Sequence, residues 1–136
     1  MKEILVDTNV IMRLFDTTTE PIQTAKAKHL FLEARDRRCI LVVAPPVLFE
    51  VAWVLRSSLK WSNNEVLDVL EAIVNWPGVK VVDKDHVKMA LSLGRKHNNG
   101  FADSYLAVTA RDHNIEVATF DESHFKKLDV ALHEIK

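Results

Sequence analysis

The sequence predicts an α/β fold in which a parallel sheet carries helices on both faces. Two observations lead to this prediction: short apolar segments alternate with helical segments along the chain, and the first apolar segments are apolar at nearly every position. Strands that are buried on both faces need such continuous apolar runs, whereas half-exposed strands alternate between apolar and polar residues. Because no repeat or low-complexity segment interrupts the pattern, we expect one domain over residues 1–136.

The first half of the chain contains two apolar runs, EILV and CILVVA, and each predicts a buried strand. Between them, apolar residues at helical spacing predict two helices, separated by a loop at 16–21. Pro45 and Pro46 suit the first turn of the helix that follows the second strand. The predicted elements are strand 3–6, helix 8–15, helix 22–38, strand 39–44 and helix 46–59.

Capping and turn signals organise the second half. Ser62, with Glu65 three residues later, has the pattern of a capping box, and the Pro77-Gly78 pair ends the helix that Ser62 begins. The predicted elements are helix 63–76, strand 79–82, helix 85–96, helix 103–113, strand 116–120, helix 122–127 and strand 130–132.

The composition is typical of a globular protein without a membrane span. The chain is 48% hydrophobic and 27% charged, and its formal net charge of −1 differs from the strongly basic balance of proteins that grip nucleic acid over their whole surface. No run of about 18 apolar residues occurs, and the N-terminus lacks the layout of a signal peptide. Because the single cysteine, Cys39, also fits a reducing compartment, we expect a cytoplasmic location.

Two aspartates follow predicted strands. Asp7 ends the first strand, in ILVDTNVIMRLF, and Asp121 follows EVATF. In an open α/β sheet the carboxyl ends of the strands border the ligand crevice, so both side chains should point into it if their strands are neighbours. A helix N-cap is the alternative for each, since aspartate commonly caps a helix at a strand-to-helix turn.

Glu50 and Asp103 lie on predicted helices. Glu50 shares a helix face with Trp53 and Val54, where a lone charge is disfavoured. Neither Lys nor Arg lies three or four residues from Glu50, so a metal or a cluster of donors explains its position better than a helical ion pair. Asp103 opens DSYLAVTARD, and an N-cap role is again the alternative.

These four carboxylates, Asp7, Glu50, Asp103 and Asp121, predict a cation site if they share one crevice. They would repel one another, and divalent cations would neutralise them. A set of oxygen ligands without Cys or His suits Mg²⁺ or Mn²⁺. Such a site can clamp a phosphodiester and generate hydroxide from bound water. Cation binding would then also relieve the cost of placing Asp7 between two apolar segments.

Several other enzyme classes lack their motifs here. The patterns GxxxxGK[ST], GxGxxG, HExxH and GxSxG do not occur, which argues against a P-loop, a dinucleotide site, a zinc hydrolase and a nucleophile elbow. A phosphoacceptor domain also gathers aspartates at strand ends, and Asp83 could be the acceptor. However, that class needs a Lys at the end of a late strand, and EVATF has none. Asn9 also departs from the DxDx[TS] pattern of phosphomonoesterases.

In chain order, the acidic segments resemble the PIN-domain nucleases, and within them the VapC-type toxins of toxin–antitoxin pairs. LVDTNVIMRLF is similar to the opening motif of the family, and LFEVAWVLR is similar to its second segment. GFADSYLAVTARDHNIEVATFDESHFKKL is similar to its third and fourth segments. The resemblance covers nearly the whole chain, and all four acidic positions match.

The resemblance implies a three-layer α/β/α sandwich with a mainly parallel five-stranded sheet, and Mg²⁺-dependent cleavage of RNA. On this basis Asp7 and Asp103 would hold the first ion, while Glu50 and Asp121 would orient water or hold a weaker second ion. The supporting roles that the resemblance implies are hydrogen bonds to the carboxylates from Thr8, Asn9 and Thr119, and a contact with substrate from Arg13. A plain solvated arginine is the alternative for Arg13.

The resemblance further implies a homodimer that a VapB-type antitoxin inhibits. Two alternatives stay open: a cleavage-silent PIN module that binds RNA or protein, and a solitary PIN nuclease in RNA processing. The helix NNEVLDVLEAIVNW is apolar over much of its surface, and Trp53 and Trp61 lie shortly before it. We expect another chain to cover part of this helical pair, whereas packing entirely inside the domain is the alternative.

Overall fold

A parallel sheet forms the centre of the computed structural model, which describes residues 1–16 and 20–136. Its strands are β1 (Glu3–Leu5), β2 (Ile40–Val43) and β3 (Val79–Val81), and they lie side by side in the order β1-β2-β3. Helices flank the sheet, and this confirms the predicted α/β class. The predicted loop at 16–21 lies partly outside the described residues.

The helices of the described residues are α1 (Thr8–Phe15), α2 (Pro21–Arg35), α3 (Pro45–Ser57), α4 (Asn63–Val74), α5 (Lys84–His97), α6 (Phe101–His113) and α7 (Glu122–Lys126). The capping box predicted at the start of α4 is present, because the Ser62 hydroxyl accepts a hydrogen bond from Glu65 N–H while the Glu65 carboxylate accepts one from Ser62 N–H. Helix α6 begins two residues earlier than predicted, so Asp103 lies in its first turn rather than at its N-cap.

The central strand β2 is the most buried part of the sheet. Leu41 and Val43 are fully buried, and β2 pairs in parallel with both neighbours, with Leu5 opposite Val42 and Leu41 opposite Val79. Strand β1 is more exposed than predicted: Leu5 is 70% exposed because β1 lies at the edge of the described sheet. Before β3, Gly78 has a positive φ of 88°, and a Cβ there would collide with the Ala34 carbonyl group.

The C-terminal segments differ most from the prediction. The predicted strands 116–120 and 130–132 form a single parallel bridge between Val117 and Leu132, so the described residues contain a three-stranded sheet rather than the expected five-stranded one. These segments are short, and only some of their apolar side chains are covered. Val117 and Leu132 pack against a small second core around Phe125, while Phe120 is 92% exposed. A single bridge is enough to cover that small core, and the described residues of these segments do not extend it into a longer ladder.

The apolar surface of α4 lies inside the domain. Its large apolar side chains are all buried, namely Val66, Leu67, Val69, Leu70, Ile73 and Val74. Trp61 packs edge-on against Phe15, and the Trp76 indole donates a hydrogen bond to the Phe31 carbonyl. The expectation that another chain covers part of this helical pair is therefore wrong for α4, whose apolar side chains its own domain covers, and it stays a prediction for Trp53, which is 69% exposed. None of the described helices combines the length and the apolar character that crossing a membrane requires.

Candidate functional site

Asp7 caps helix α1. Its backbone is extended, and its carboxylate accepts a 2.7 Å hydrogen bond from Thr8 N–H, while the Thr8 side chain is buried beneath it. The Asp7 side chain itself is exposed. The sequence suggested a carboxylate made costly by apolar surroundings, and that interpretation is wrong, because capping and exposure to water already accommodate Asp7. Its other carboxylate oxygen has no intramolecular partner among the described residues.

A small groove joins Asp7 to Glu50. It has a volume of about 340 Å³, and Asn9 and Arg13 line it together with the two carboxylates. Glu50 is exposed rather than on a buried face, because the buried face of α3 is the one that carries Leu48, Val51 and Leu55. The Arg13 side chain lines this groove, and its Nε donates a 2.8 Å hydrogen bond to the side-chain carbonyl of Gln23.

A larger groove, of about 1040 Å³, joins Glu50 to Asp103. Glu50 and Val54 line both grooves, so the two grooves adjoin at α3. We call the combined surface, along which Asp7, Glu50 and Asp103 follow one another, the acidic trough. Residues from three distant segments of the sequence thus reach one continuous surface.

An aromatic cluster fixes the distance between the α3 and α6 sides of the larger groove. The Phe49 ring lies 5.0 Å from the Phe101 ring and 4.9 Å from the Tyr105 ring, measured between centroids. Phe49 precedes Glu50, and Phe101 and Tyr105 flank Asp103 in α6, so the packing of these rings positions the two carboxylates. Burial, and secondarily the charge of Asp83, raise the pKa of the Tyr105 phenol above its ordinary value.

Asp103 and Asp121 are joined by His124. The His124 Nδ1 atom lies 3.4 Å from a carboxylate oxygen of Asp103 and 2.8 Å from one of Asp121. The Thr119 hydroxyl accepts a 2.9 Å hydrogen bond from Asp121 N–H, which places Thr119 in contact with the backbone of this segment. Asp121 therefore approaches the trough through α7 and its histidine, and not from the end of a sheet strand.

Asn99 anchors this arrangement and is 5% exposed. Its side-chain amide donates a 2.7 Å hydrogen bond to the backbone carbonyl of His124. The backbone carbonyl of Asn99 accepts a 2.9 Å hydrogen bond from the Asn63 side chain. Sequence reasoning missed both His124 and Asn99. The spacing of three residues between Asp121 and His124 was a usable signal for His124. Asn99 gave none, because residues 97–100, HNNG, have the composition of an ordinary turn.

The donor chemistry of the trough fits a hard divalent cation. In the described ranges no three His, Cys, Asp or Glu side chains converge to hold a metal ion between them. In those same ranges, the recorded ion pairs of the four carboxylates are those of His124 with Asp103 and Asp121, so no Lys or Arg neutralises them. Mg²⁺ commonly uses one or two carboxylates and completes its shell with water and substrate phosphates. Separated carboxylates that water can reach suit this open kind of Mg²⁺ site, and they do not suit a site in which protein ligands surround the ion completely.

Comparisons with known proteins place the chain in a family. The sequence model of the PIN domain matches residues 4–131. A VapC ribonuclease from Aquifex aeolicus (strain VF5) is 29% identical over 125 residues, which cover 91% of this chain and 90% of that protein.

Two solved structures are similar over nearly the full length. The structure of FitAB bound to an IR36 DNA fragment has a TM-score of 0.39 and 24% identity, and the match covers 96% of this chain and 93% of the other. The structure of VapBC2 from Rickettsia felis bound to a DNA fragment from its promoter has a TM-score of 0.40 and 16% identity, with 98% of each chain covered.

The family match extends over all four acidic segments and confirms the resemblance drawn from the sequence. The chain belongs to the PIN domain family.

Proposed function

We propose that this protein is a Mg²⁺- or Mn²⁺-dependent endoribonuclease, and that it acts in the cytoplasm as the toxin of a VapBC-type toxin–antitoxin pair. The PIN domain match and the VapC ribonuclease relative support a nuclease enzyme. The observation that carries the proposal is the position of Glu50, which lines both grooves and so links Asp7 to Asp103. A single domain over residues 1–136 would contain the whole site.

Asp7 and Asp103 would hold the first cation, whose shell water and substrate phosphates would complete, while Glu50 and Asp121 would orient water or hold a weaker second ion. When bound, the cation would neutralise phosphate charge and lower the pKa of water. Glu50 lines both grooves and lacks a Lys or Arg partner in the described residues, which supports a role as the group that would accept the proton of an attacking water. Arg13, at the Asp7 end, would contact a phosphate oxygen.

In the proposed reaction, the water oxygen bonds to phosphorus, and the bond from phosphorus to the 3′ oxygen breaks. The 3′ oxygen takes up a proton, so the products carry a 3′-hydroxyl and a 5′-phosphate. A ribonuclease that uses the 2′-hydroxyl as nucleophile instead yields a cyclic phosphate, and the chemistry of the ends therefore separates the two routes.

The Asp7→Asn variant tests the proposal. Asn caps helices about as well as Asp, so the fold should persist while one ligand charge is lost. We expect cleavage of single-stranded RNA in Mg²⁺ to fall by more than about 100-fold and growth arrest on overexpression to be relieved. Asp129→Asn is the matched control, because Asp129 is exposed, has a φ of 57° that Asn tolerates, and does not line the trough. Wild-type cleavage by a folded Asp7→Asn protein would refute the assignment.

A cleavage-silent RNA-binding module is the second candidate. It is favoured by the separation of the carboxylates, since in the described parts of the chain no three of them gather around one point. The two candidates differ in one assay: a silent module retains RNA yet leaves it intact in both Mg²⁺ and Mn²⁺. Cleavage that EDTA abolishes would exclude it.

A protein partner and a homodimer also belong to the proposal. The VapC ribonuclease relative supports an antitoxin partner of VapB type. Because the apolar side chains of α4 are buried in its own domain, we expect the partner and a second copy to bind apolar side chains on other surfaces. Sedimentation of the purified chain at micromolar concentration tests the dimer. Co-purification with the product of the adjacent reading frame, followed by loss of RNA cleavage, tests the antitoxin.

A further inference from the structure

Trp53 is a large aromatic side chain that the fold leaves in water. It lies on α3, three residues after Glu50, and it is 69% exposed. The other two tryptophans are half-buried and engaged: Trp61 packs on Phe15, and Trp76 packs on Phe31 and donates a hydrogen bond to its carbonyl. Among the described residues, the Trp53 ring has no aromatic partner. Its exposure therefore does not serve the core.

Trp53 lines the same groove as Glu50 and Asp103. The neighbouring Phe49 lines it too, but the Phe101 and Tyr105 rings already hold Phe49. Trp53 is thus the aromatic side chain of this groove whose ring face is available to a ligand. A planar ring beside a hydrolytic centre can hold a planar group next to the bond that is cut.

Two cationic side chains border this groove, Arg56 and Lys127. Neither has a carboxylate partner in residues 1–16 and 20–136; Arg56 donates a 3.3 Å hydrogen bond to the Trp61 carbonyl, which leaves its charge uncompensated. The chain as a whole has a net charge of −1, so free cations beside an acidic site are a local feature. Their charge complements phosphate.

We propose that the larger groove binds single-stranded RNA with one base stacked on Trp53 and adjacent phosphates on Arg56 and Lys127. This inference rests on the proposed ribonuclease function and adds to it the side chains that hold one base and the adjacent phosphates. Exposed aromatic rings combined with cations that follow the backbone are the usual platform for single strands, because every unpaired base offers a π face. A duplex offers no free base face along its length, so it cannot use Trp53 in this way.

Equilibrium binding of a fluorescein-labelled ten-nucleotide RNA tests the inference. Anisotropy titrations are made with the whole protein in EDTA and, separately, in Ca²⁺, with the RNA checked by gel afterwards. We expect Trp53→Leu to weaken single-strand binding by about 5- to 150-fold and to leave binding of the matching duplex unchanged. Trp53→Tyr, which keeps an aromatic face, should recover most of the affinity.

Tryptophan emission gives a second readout. Stacking should quench Trp53, so the quench on adding single-stranded RNA should disappear in Trp53→Leu and persist in Trp61→Phe. Met89→Ala is the matched control for loss of an exposed apolar side chain, since Met89 is 51% exposed and lines a different groove. It should bind RNA like the wild type.

Several outcomes overturn the inference. They are equal loss of single-strand and duplex binding in Trp53→Leu, unchanged single-strand affinity, and loss of antitoxin binding with RNA binding intact, which would assign the groove to a protein. The proposed function fails separately, through undiminished cleavage by Asp7→Asn. Because binding in EDTA is measured without cleavage, each claim can fail while the other stands.

Discussion

The two ends of the acidic trough are held in place by different means. Asp7 and Glu50 project from α1 and α3, whose buried faces belong to the main core, and backbone capping fixes Asp7 directly. Asp103 and Asp121 are instead connected through His124, and α7 packs on a separate small core. Asp103 also lies on a helix that packs in the main core, through Phe101 and Val108, so the contrast is sharpest for Asp121 and His124, which depend on polar contacts between short segments.

This difference predicts how each end responds to change. Elements with few buried apolar contacts open locally at low free energy, so α7 should move more readily than α1 or α3. Asn99 is the buried polar link that restrains α7 against the α5–α6 turn. The Asp7 end should therefore tolerate loss of side-chain hydrogen bonds, whereas the Asp121 end should depend on them.

Removing the charge of Glu50, which lines both grooves, should have the largest effect, and the effect should be on RNA cleavage. Glu50→Gln keeps size and helix propensity, and we expect RNA cleavage in Mg²⁺ to fall by about 10²- to 10³-fold, because Glu50 lines both parts of the trough. Glu134→Gln, an exposed change outside both grooves, is the control. Cleavage within a factor of about three of the wild type would mean that the grooves do not act as one site.

Removing the hydrogen bond between Asn99 and His124 should have the next largest effect, and the effect should be on stability. Asn99→Ala removes the hydrogen bond to the His124 carbonyl, and we expect it to lower stability by about 1–3 kcal/mol in chemical denaturation. We also expect faster amide exchange in α7 than in α1. Asn64→Ala, an exposed change at the start of α4, should alter neither. Uniformly faster exchange across both ends would contradict the contrast between them.

Cation binding should stabilise the protein more modestly. At a cation concentration ten times the dissociation constant, mass action adds about 1.4 kcal/mol, and the melting temperature of the wild type should rise by a few degrees in Mg²⁺. The Asp7→Asn, Asp103→Asn double variant should show a much smaller rise. Equal rises in calorimetry would place the ions elsewhere on the surface.

Arg13 should have the smallest effect. Arg13→Gln removes one phosphate contact at the Asp7 end, so the slope of log affinity for single-stranded RNA against log salt should become shallower by about 0.7. Arg35→Gln, on an exposed residue distant from the trough, is the control. A slope equal to that of the wild type would make Arg13 a solvated arginine that contacts Gln23 alone.

The buried half of the fold could be read from the sequence because its signals are local. A continuous apolar run predicted β2, the VKVV segment after the Pro77-Gly78 turn predicted β3, and the Ser62–Glu65 pair predicted where α4 begins. The segments 116–120 and 130–132 are so short that pattern alone does not decide between a ladder and a single bridge. That choice depends on long-range packing against Phe125.

The sequence pointed to the acids of the candidate site, whose roles stay a prediction, and not to the contacts that link them. Asp7, Glu50, Asp103 and Asp121 were singled out as carboxylates at strand ends and helix faces, and the structure brings them together in two pairs. The links are harder to predict, because the contact of His124 with Asp103 and that of Asn99 with His124 span 21 and 25 residues of chain. Helical spacing placed α4 correctly, yet it could not show whether its own domain or another chain covers it.

Binding of Mn²⁺, followed by electron paramagnetic resonance, tests most directly whether the two ends form one cation site. Titrations compare the wild type with Asp7→Asn and Asp103→Asn, which each alter one end of the trough. We expect saturable binding by the wild type, weakened in both variants for the same ion and competed by Mg²⁺. Saturable binding that neither variant changes, or no binding by the folded wild type, would contradict it.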